Sequence, residues 1–406
     1  MSMRLLDSHF KKISWSNLCA QFSEQTALAA APLAAVLLLN AGPSETAWLQ
    51  TGQTMPFLLL SIPAGLIVDR ISRRKLMIGA EAVRAISLTV AFLLLISGTI
   101  TLPLLVVLGF FGAVGTVCYN VAAPAYVPTL IPKDELVSAN RWLELARSVA
   151  YTAGPAIGGF TVGYMGAPVA YVLATTLSIL AFILLMSLPE EVKIPGVKKH
   201  LFHDLAEGAS FIAKHDLLRP MLFTAVFFNT SWFIVQGVFV AYAATHLALD
   251  AAQIGFTIGL YGAGMIIGAL SLKYISGRLP YGLMVVLGPV GGFIGSVIML
   301  MTLWFPSSYL AGLSYFFFGV GPIIWSITTM SLRQAVTPTG MMGRVSALIL
   351  TTTFGARPLG SAIAALLAVR YGVESCLWAA VAGFMVQLAI LSLSNVPRLQ
   401  HLPEGV

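Results

Sequence analysis

Charge is what this chain has least of. Only 10% of its 406 residues are Asp, Glu, Lys or Arg, against about 25% in a soluble domain. With 58% hydrophobic residues and a mean hydropathy of +0.88, most of the chain has lipid as its solvent. Cysteine is scarce too. Cys19, Cys118 and Cys376 are odd in number and lie in apolar runs, which excludes a disulfide framework and fits small core residues. There is no Gly-x-Ser-x-Gly, His-x-x-x-His or Cys-x-x-Cys, so no enzyme activity, cofactor or metal is expected. A Walker loop is missing, so ATP does not drive this chain by itself. The net charge of +7 does not imply nucleic acid, because the basic residues fall in short loops without interleaved aromatics. His200 and His203 stand at i, i+3 but read as a solvated helix face rather than a metal site. The first apolar run carries Glu24 and is too long for a cleavable signal peptide.

What is present is a series of apolar runs long enough to cross a bilayer. A span needs about 20 mostly apolar residues. Twelve are expected, over 15–39, 46–68, 76–97, 103–127, 143–164, 167–188, 220–244, 253–274, 281–304, 307–330, 344–369 and 373–395. Residues 189–219 are the longest polar stretch, with Leu201, Leu205, Phe211 and Ile212 near helical spacing. They predict an amphipathic helix at the inner membrane surface, linking six spans (1–188) to six more (220–406). The halves also echo each other. Ile71-Ser72 with Arg74 recurs as Ile275-Ser276 with Arg278, Pro155 finds Pro358, and Tyr164 finds Tyr371. Separations near half the chain support parallel six-helix repeats, an all-α membrane protein of two pseudo-symmetric bundles.

Orientation follows from the 23 lysines and arginines. With both termini in the cytoplasm, 19 lie on the inner side and only Arg370 lies outside. The densest inner cluster is Gly65 to Lys75. Asp69 opposes the dipole of its own helix there, and Arg70, Arg73, Arg74 and Lys75 follow.

An ionisable group within a span is costly unless paired or hydrated. Glu24 shares a helical face with Gln21, Gln25 and Leu28 and is the expected proton-binding carboxylate, against a structural hydrogen-bonding role. Glu81 with Arg84, and Glu144 with Arg147, are i, i+3 pairs near cytoplasmic ends. They either neutralise each other and snorkel to the interface or join a cytoplasmic gate. Arg357 lies mid-span beside Pro358, suited to a carboxylate or catecholate ligand or to a tether between helices. Tyr119 and Asn120, Asn229, Trp232 and Gln236 (one face at i, i+3, i+7), and Trp325 are candidates to complete a pocket for an amphiphile. Each is individually as compatible with packing.

These residues carry a resemblance. Gly65, Asp69, Arg70, Arg73, Arg74 and Lys75 resemble the loop signature of the major facilitator superfamily, with Ser72 replacing its second glycine. Gly154-Pro155-x-x-Gly158-Gly159 resembles the core of the antiporter motif of that superfamily's drug exporters, with Ala146 and Ala150 near the places of upstream glycines. Asp204 to Gly208 through Leu218-Arg219, and Leu332 to Pro338 through Gly343-Arg344-Val345 to Gly360, look like a branch that includes the enterobactin exporter and macrolide efflux proteins. The resemblance implies the major facilitator fold and alternating access. It also implies a cytoplasmic latch built on Asp69, facing the region of Gly343 and Arg344. The expected function is proton-coupled export of a small organic molecule, such as a siderophore or amphiphilic drug, by a monomer in the inner membrane. The rivals are a nutrient importer or facilitator and a lipid flippase.

Overall fold

A chain this apolar must satisfy every backbone N–H and C=O without water, and helices do that within one segment. The computed structural model describes residues 8–131, 136–190, 201–276, 278–338 and 341–403. At 61, 62, 64–70, 136–141, 144, 201–205 and 343 only the backbone course is described. The described residues form α1 (Ser8–Leu39), α2 (Pro43–Arg70), α3 (Arg73–Ile96), α4 (Leu102–Leu130), α5 (Leu136–Met165), α6 (Ala167–Met186) and α7 (Leu201–Lys214). Then come α8 (Leu218–Thr245), α9 (Ala251–Ile275), α10 (Tyr281–Met301), α11 (Ser308–Val336), α12 (Met342–Tyr371) and α13 (Val373–Ser392).

Apart from α7, each helix has at least 20 residues, or about 30 Å of rise, the thickness of the hydrocarbon core. Judged on described residues, ten are apolar enough to cross a membrane. All twelve expected spans fall on long helices. Several helices outrun the apolar stretch, as α1 starts at Ser8 and α5 at Leu136, because polar turns continue them beyond lipid. Prolines sit inside seven of them without ending them, Pro155 in α5 and Pro358 in α12 among these.

The described residues fall into two compact units, one within Met1–Val197 with Leu249–Gly259, the other within Lys198–Ala248 with Leu260–Val406. In the first, α1 packs on α5 and α6, α3 on α4 and α6, and α2 on α4. In the second, α8 packs on α12 and α13, and α10 on α11 and α13. Gly264, Gly268 and Gly319 bring α9 against α11, completing the same scheme. The connections repeat as well. Gly166 (φ 88°) joins α5 to α6 and Gly372 (φ 80°) joins α12 to α13, a left-handed turn that any Cβ would strain. Asn40 (φ 54°) follows α1 and Ala248 (φ 52°) follows α8.

The interior is more polar, and the exterior more apolar, than in a soluble protein. Leu59, Ile86, Phe160, Ile183, Leu270 and Leu366 are exposed, while Ser16, Ser23, Thr26, Ser178, Ser314 and Ser361 are buried. Lipid offers no hydrophobic drive to bring helices together, so small residues and interhelical hydrogen bonds do the work. Ser23 Oγ donates to the Ala174 carbonyl at 2.7 Å, tying α1 to α6, and Ser314 Oγ donates to Gly295 O at 2.7 Å, tying α11 to α10.

Helix α7 packs against its own unit. Ile212 is buried in a cluster with Leu218, Met221, Val345 and Leu391, so α7 docks on α8 and α12. Gly208 lies where a Cβ would meet the Arg344 backbone at 3.4 Å, and Arg344 Nη1 pairs with Glu207 at 2.5 Å.

Candidate functional site

The first unit holds its charge in a closed cluster. A Cβ at Gly115 would lie 2.5 Å from the Ala80 carbonyl oxygen, so glycine there lets α4 approach α3. Arg84 then pairs with Glu81 at 2.5 Å and donates through Nη2 to Thr116 Oγ1 at 2.8 Å. It also donates to the Ala20 carbonyl of α1 at 3.4 Å. Ser178 Oγ of α6 donates to the other Glu81 oxygen at 2.8 Å. Glu81 is 0% and Arg84 3% exposed, so this pair does not snorkel to the interface. Both partners bring four helices to one point.

Tyr119 was expected to line a pocket; it is 1% exposed, its hydroxyl 3.5 Å from Ser16 Oγ, and it belongs to the core of the first unit. Its neighbour Asn120 is exposed and accepts from Gln21 Nε2 at 3.4 Å. Glu24, one turn on from Gln21, is half-buried on α1 and has an interaction partner. Gln25 is buried where α5 crosses, because Gly154 leaves no Cβ to displace it.

The rest of that motif is also spent on close approach. Gly158 faces the Thr26 carbonyl of α1, and a Cβ at Gly159 would fall 2.5 Å from Gly255 Cα and 2.6 Å from the Ala251 carbonyl oxygen of α9. The carbonyl of Pro155 faces Gly255 in turn. One helix thus packs closely against two others through Gly154, Pro155, Gly158 and Gly159.

Of the gate candidates, Gly65, Asp69, Arg70 and Glu144 have side chains outside the described set. Arg73 is half-buried. Arg74 donates to the carbonyls of Leu185 and Met186 at the end of α6, and with Lys75 pairs with Glu190. Cations at the C-terminal end of a helix favour its dipole. Ser72 caps α3 by accepting from Lys75 N at 3.5 Å, a use for serine at the place of the signature's second glycine. Arg147 is exposed and lies over the Tyr151 ring at 5.6 Å.

The second unit treats its buried cation differently. Gly360 sits against the Thr230 backbone, so α12 and α8 touch there, and Arg357 one turn earlier reaches α8. Its Nε donates to Asn229 Oδ1 at 3.4 Å, while Asn229 Nδ2 donates to the Ala225 carbonyl at 3.0 Å. The guanidinium lies over Phe354 at 4.2 Å and Phe233 at 5.4 Å. Two flat aromatic faces and an amide oxygen contact this half-buried cation.

The remaining pocket candidates make contacts within their own unit. Trp232 is 6% exposed, stacked on Tyr261 at 5.2 Å and against Phe318 at 4.7 Å. Gln236 accepts from the Tyr315 hydroxyl at 2.9 Å. Trp325 packs on the α7–α8–α12 cluster, and its Cβ fills the space at Gly288. Of the face at i, i+3, i+7, Trp232 and Gln236 meet Tyr315 and Phe318 of α11, while Asn229 meets Arg357 of α12. Of the partners found here, Phe354 stands at i−3 from Arg357 and was visible in the sequence. Ser178, Thr116 and Phe233 come from distant helices and carried no local signal.

The sequence pattern of the Major Facilitator Superfamily matches residues 13–361. The chain belongs to that superfamily. It is therefore a multi-pass membrane transporter rather than an enzyme. Over 306 residues it is 26% identical to the enterobactin exporter EntS of Escherichia coli O1:K1 / APEC, spanning 74% of this chain and 71% of that protein. A bacterial homologue of the iron transporter ferroportin, in an inward-facing state, superposes with a TM-score of 0.74 at 16% identity, covering 95% of this chain and 98% of that one. A POT family transporter in complex with 5-aminolevulinic acid gives 0.77 at 12% identity, over 95% of this chain and 96% of that one. At such identities the two structures speak for the fold alone.

Proposed function

We propose that this transporter exports a small organic molecule of the siderophore or amphiphilic-drug type from the cytoplasm, driven by inward proton flow. The observation that carries export is the likeness to an enterobactin exporter across 306 residues. The setting of Arg357 supports the substrate class. A guanidinium held flat between Phe354 and Phe233 can receive a carboxylate or catecholate edge-on while the rings receive an aromatic group. Glu24 is the proton carrier in this reading, being a half-buried carboxylate on a span that also presents Gln21. Both termini lie in the cytoplasm in this reading, which the lysine and arginine distribution supports. The loop from Gly65 to Lys75, with Glu144 and Arg147, forms the cytoplasmic side that closes when the cavity faces outward, while the buried Glu81–Arg84 pair pins the unit that carries it. The packing of Gly154, Pro155, Gly158 and Gly159 is part of the same cycle.

Everted vesicles test this directly. Imposing an acid interior should drive uptake of a catecholate into vesicles carrying the wild-type chain. Glu24→Gln should leave binding and folding intact and abolish the dependence on the pH gradient. Uptake in whole cells rather than in everted vesicles would identify an importer instead. Gradient-driven uptake by Glu24→Gln equal to wild type would remove Glu24 from coupling.

A further inference from the structure

At the ends of α8 and α13 lies a cleft of about 340 Å³ that the transport reading does not use. It is lined on one side by Asp216, Arg219 and Phe223, and on the other by Ile390, Leu393 and Asn395. Its volume falls within the range of about 300–1,000 Å³ typical of small-molecule sites. Because α8 begins at Leu218 and α13 ends at Ser392, the cleft stands where two spans leave the hydrocarbon. Its walls divide accordingly. Phe223 is 51% and Leu393 88% exposed, an apolar lip turned outward from the unit. Asp216, Arg219 and Asn395 are exposed and polar.

The turn that carries these charges is fixed by its own hydrogen bonds. His215 Nδ1 accepts from the backbone N–H groups of Leu217 at 3.2 Å and Leu218 at 3.4 Å, which sets the turn carrying Asp216. Arg219 N donates to the His215 carbonyl at 3.1 Å, so its side chain leaves from the same turn. Arg398 Nη1 donates to Asn395 Oδ1 at 3.5 Å and adds a second cation beside the opposite wall. Among the described residues neither Asp216 nor Arg219 forms a salt bridge. An acid and a base, Asp216 and Arg219, thus share one small opening beside an apolar lip, with Arg398 held near its edge. A phosphate finds its counter-charge at Arg219 and an ammonium finds one at Asp216, so a ligand carrying both charges uses both side chains.

We propose that this cleft binds the headgroup of an amine-bearing zwitterionic phospholipid. The phosphate sits at Arg219, the primary ammonium donates to Asp216, and the first acyl carbons lie along Phe223, Ile390 and Leu393. A primary ammonium has three N–H donors for a carboxylate, whereas a trimethylated one has none. The site therefore distinguishes ethanolamine from choline headgroups.

Native mass spectrometry of the full chain in detergent tests it, with phosphatidylethanolamine, phosphatidylcholine and phosphatidylglycerol of identical acyl chains. The wild type should retain phosphatidylethanolamine about tenfold more tightly than phosphatidylcholine. Asp216→Asn should erase that preference, and Arg219→Ala should weaken both lipids. Both positions are exposed, and size-exclusion profiles of the variants check that they fold. Equal retention of the two lipids by the wild type overturns the proposal. So does a preference unchanged in both variants, or tightest binding of phosphatidylglycerol that Arg219→Ala removes. Displacement of the lipid by soluble glycerophosphoethanolamine at equal concentration also overturns it, by showing that the apolar lip contributes nothing.

Discussion

Each unit of this transporter carries an arginine within a span, and the two are held in contrasting ways. Arg84 is closed off, neutralised by Glu81, and hydrogen-bonded to Thr116 and Ala20 O, with Ser178 completing the carboxylate's shell. Arg357 is half-buried and lies on Phe354 and Phe233 with an amide oxygen at its edge. The spans of the C-terminal half contain no acid near their middle, only Asp250 and Glu374 close to helix ends. Charge neutralised within its own unit works as a structural pin. Arg357 is set instead against aromatic faces and an amide oxygen, and the difference can be tested at each arginine in turn.

The contrast breaks most sharply at Arg84. Removing one partner of a buried ion pair leaves the other uncompensated, which costs about 3–5 kcal/mol. Arg84→Ala should therefore lower the thermal unfolding midpoint in detergent markedly and reduce the monodisperse yield. Replacing both charges, Glu81→Met with Arg84→Met, should recover much of that loss, since no orphaned carboxylate remains. A single variant no less stable than the double one would mean that the pair is hydrated and open, against the packing described.

Arg357 should show the opposite balance. Its contacts with an amide and two rings are each worth about 0.5–2 kcal/mol, so Arg357→Ala should fold with a smaller loss than Arg84→Ala. Affinity for an anionic substrate should fall about tenfold more than affinity for a neutral one. Arg357→Lys should restore part of the anion affinity but not the stacked geometry, since an ammonium is not planar. Equal losses for anionic and neutral substrates would make Arg357 a tether between α12 and α8, and the comparison with Arg84 would collapse into one of degree.

Much of this arrangement is legible in the sequence. Apolar run lengths located all twelve long helices, and lysine and arginine asymmetry supplied an orientation to test. The Glu81–Arg84 pair followed from i, i+3 spacing on one helix. Its burial did not, because that depends on Thr116 and Ser178, 32 and 97 residues away. Trp232 and Gln236 were read as a cavity face from correct periodicity, yet they face Tyr315 and Phe318. In lipid a polar or aromatic stripe serves a neighbouring helix as readily as a water-filled space, so periodicity finds the stripe and not its direction. The Arg344–Glu207 pair was missed because Arg344 was assigned to the Asp69 latch, whose acid lies outside the described side chains.

That last pair supplies the mildest test, as an exposed counterpart to Arg84 and Glu81. Arg344 and Glu207 are 36% and 46% exposed, and exposed pairs contribute about 0.2–1 kcal/mol. Glu207→Gln should therefore scarcely change global stability but should speed amide exchange in α7 at low salt. At 1 M salt the screening length is about 3 Å, so wild type and variant should exchange alike. Gly208→Leu, which puts bulk against the Arg344 backbone, should loosen α7 at every salt concentration, because packing is not screened. If salt left the wild-type exchange of α7 unchanged, the ion pair would contribute nothing to docking. Ile212 and Gly208 alone would then hold α7 on α12, and the contrast between buried and exposed charge would be sharper than the geometry implies.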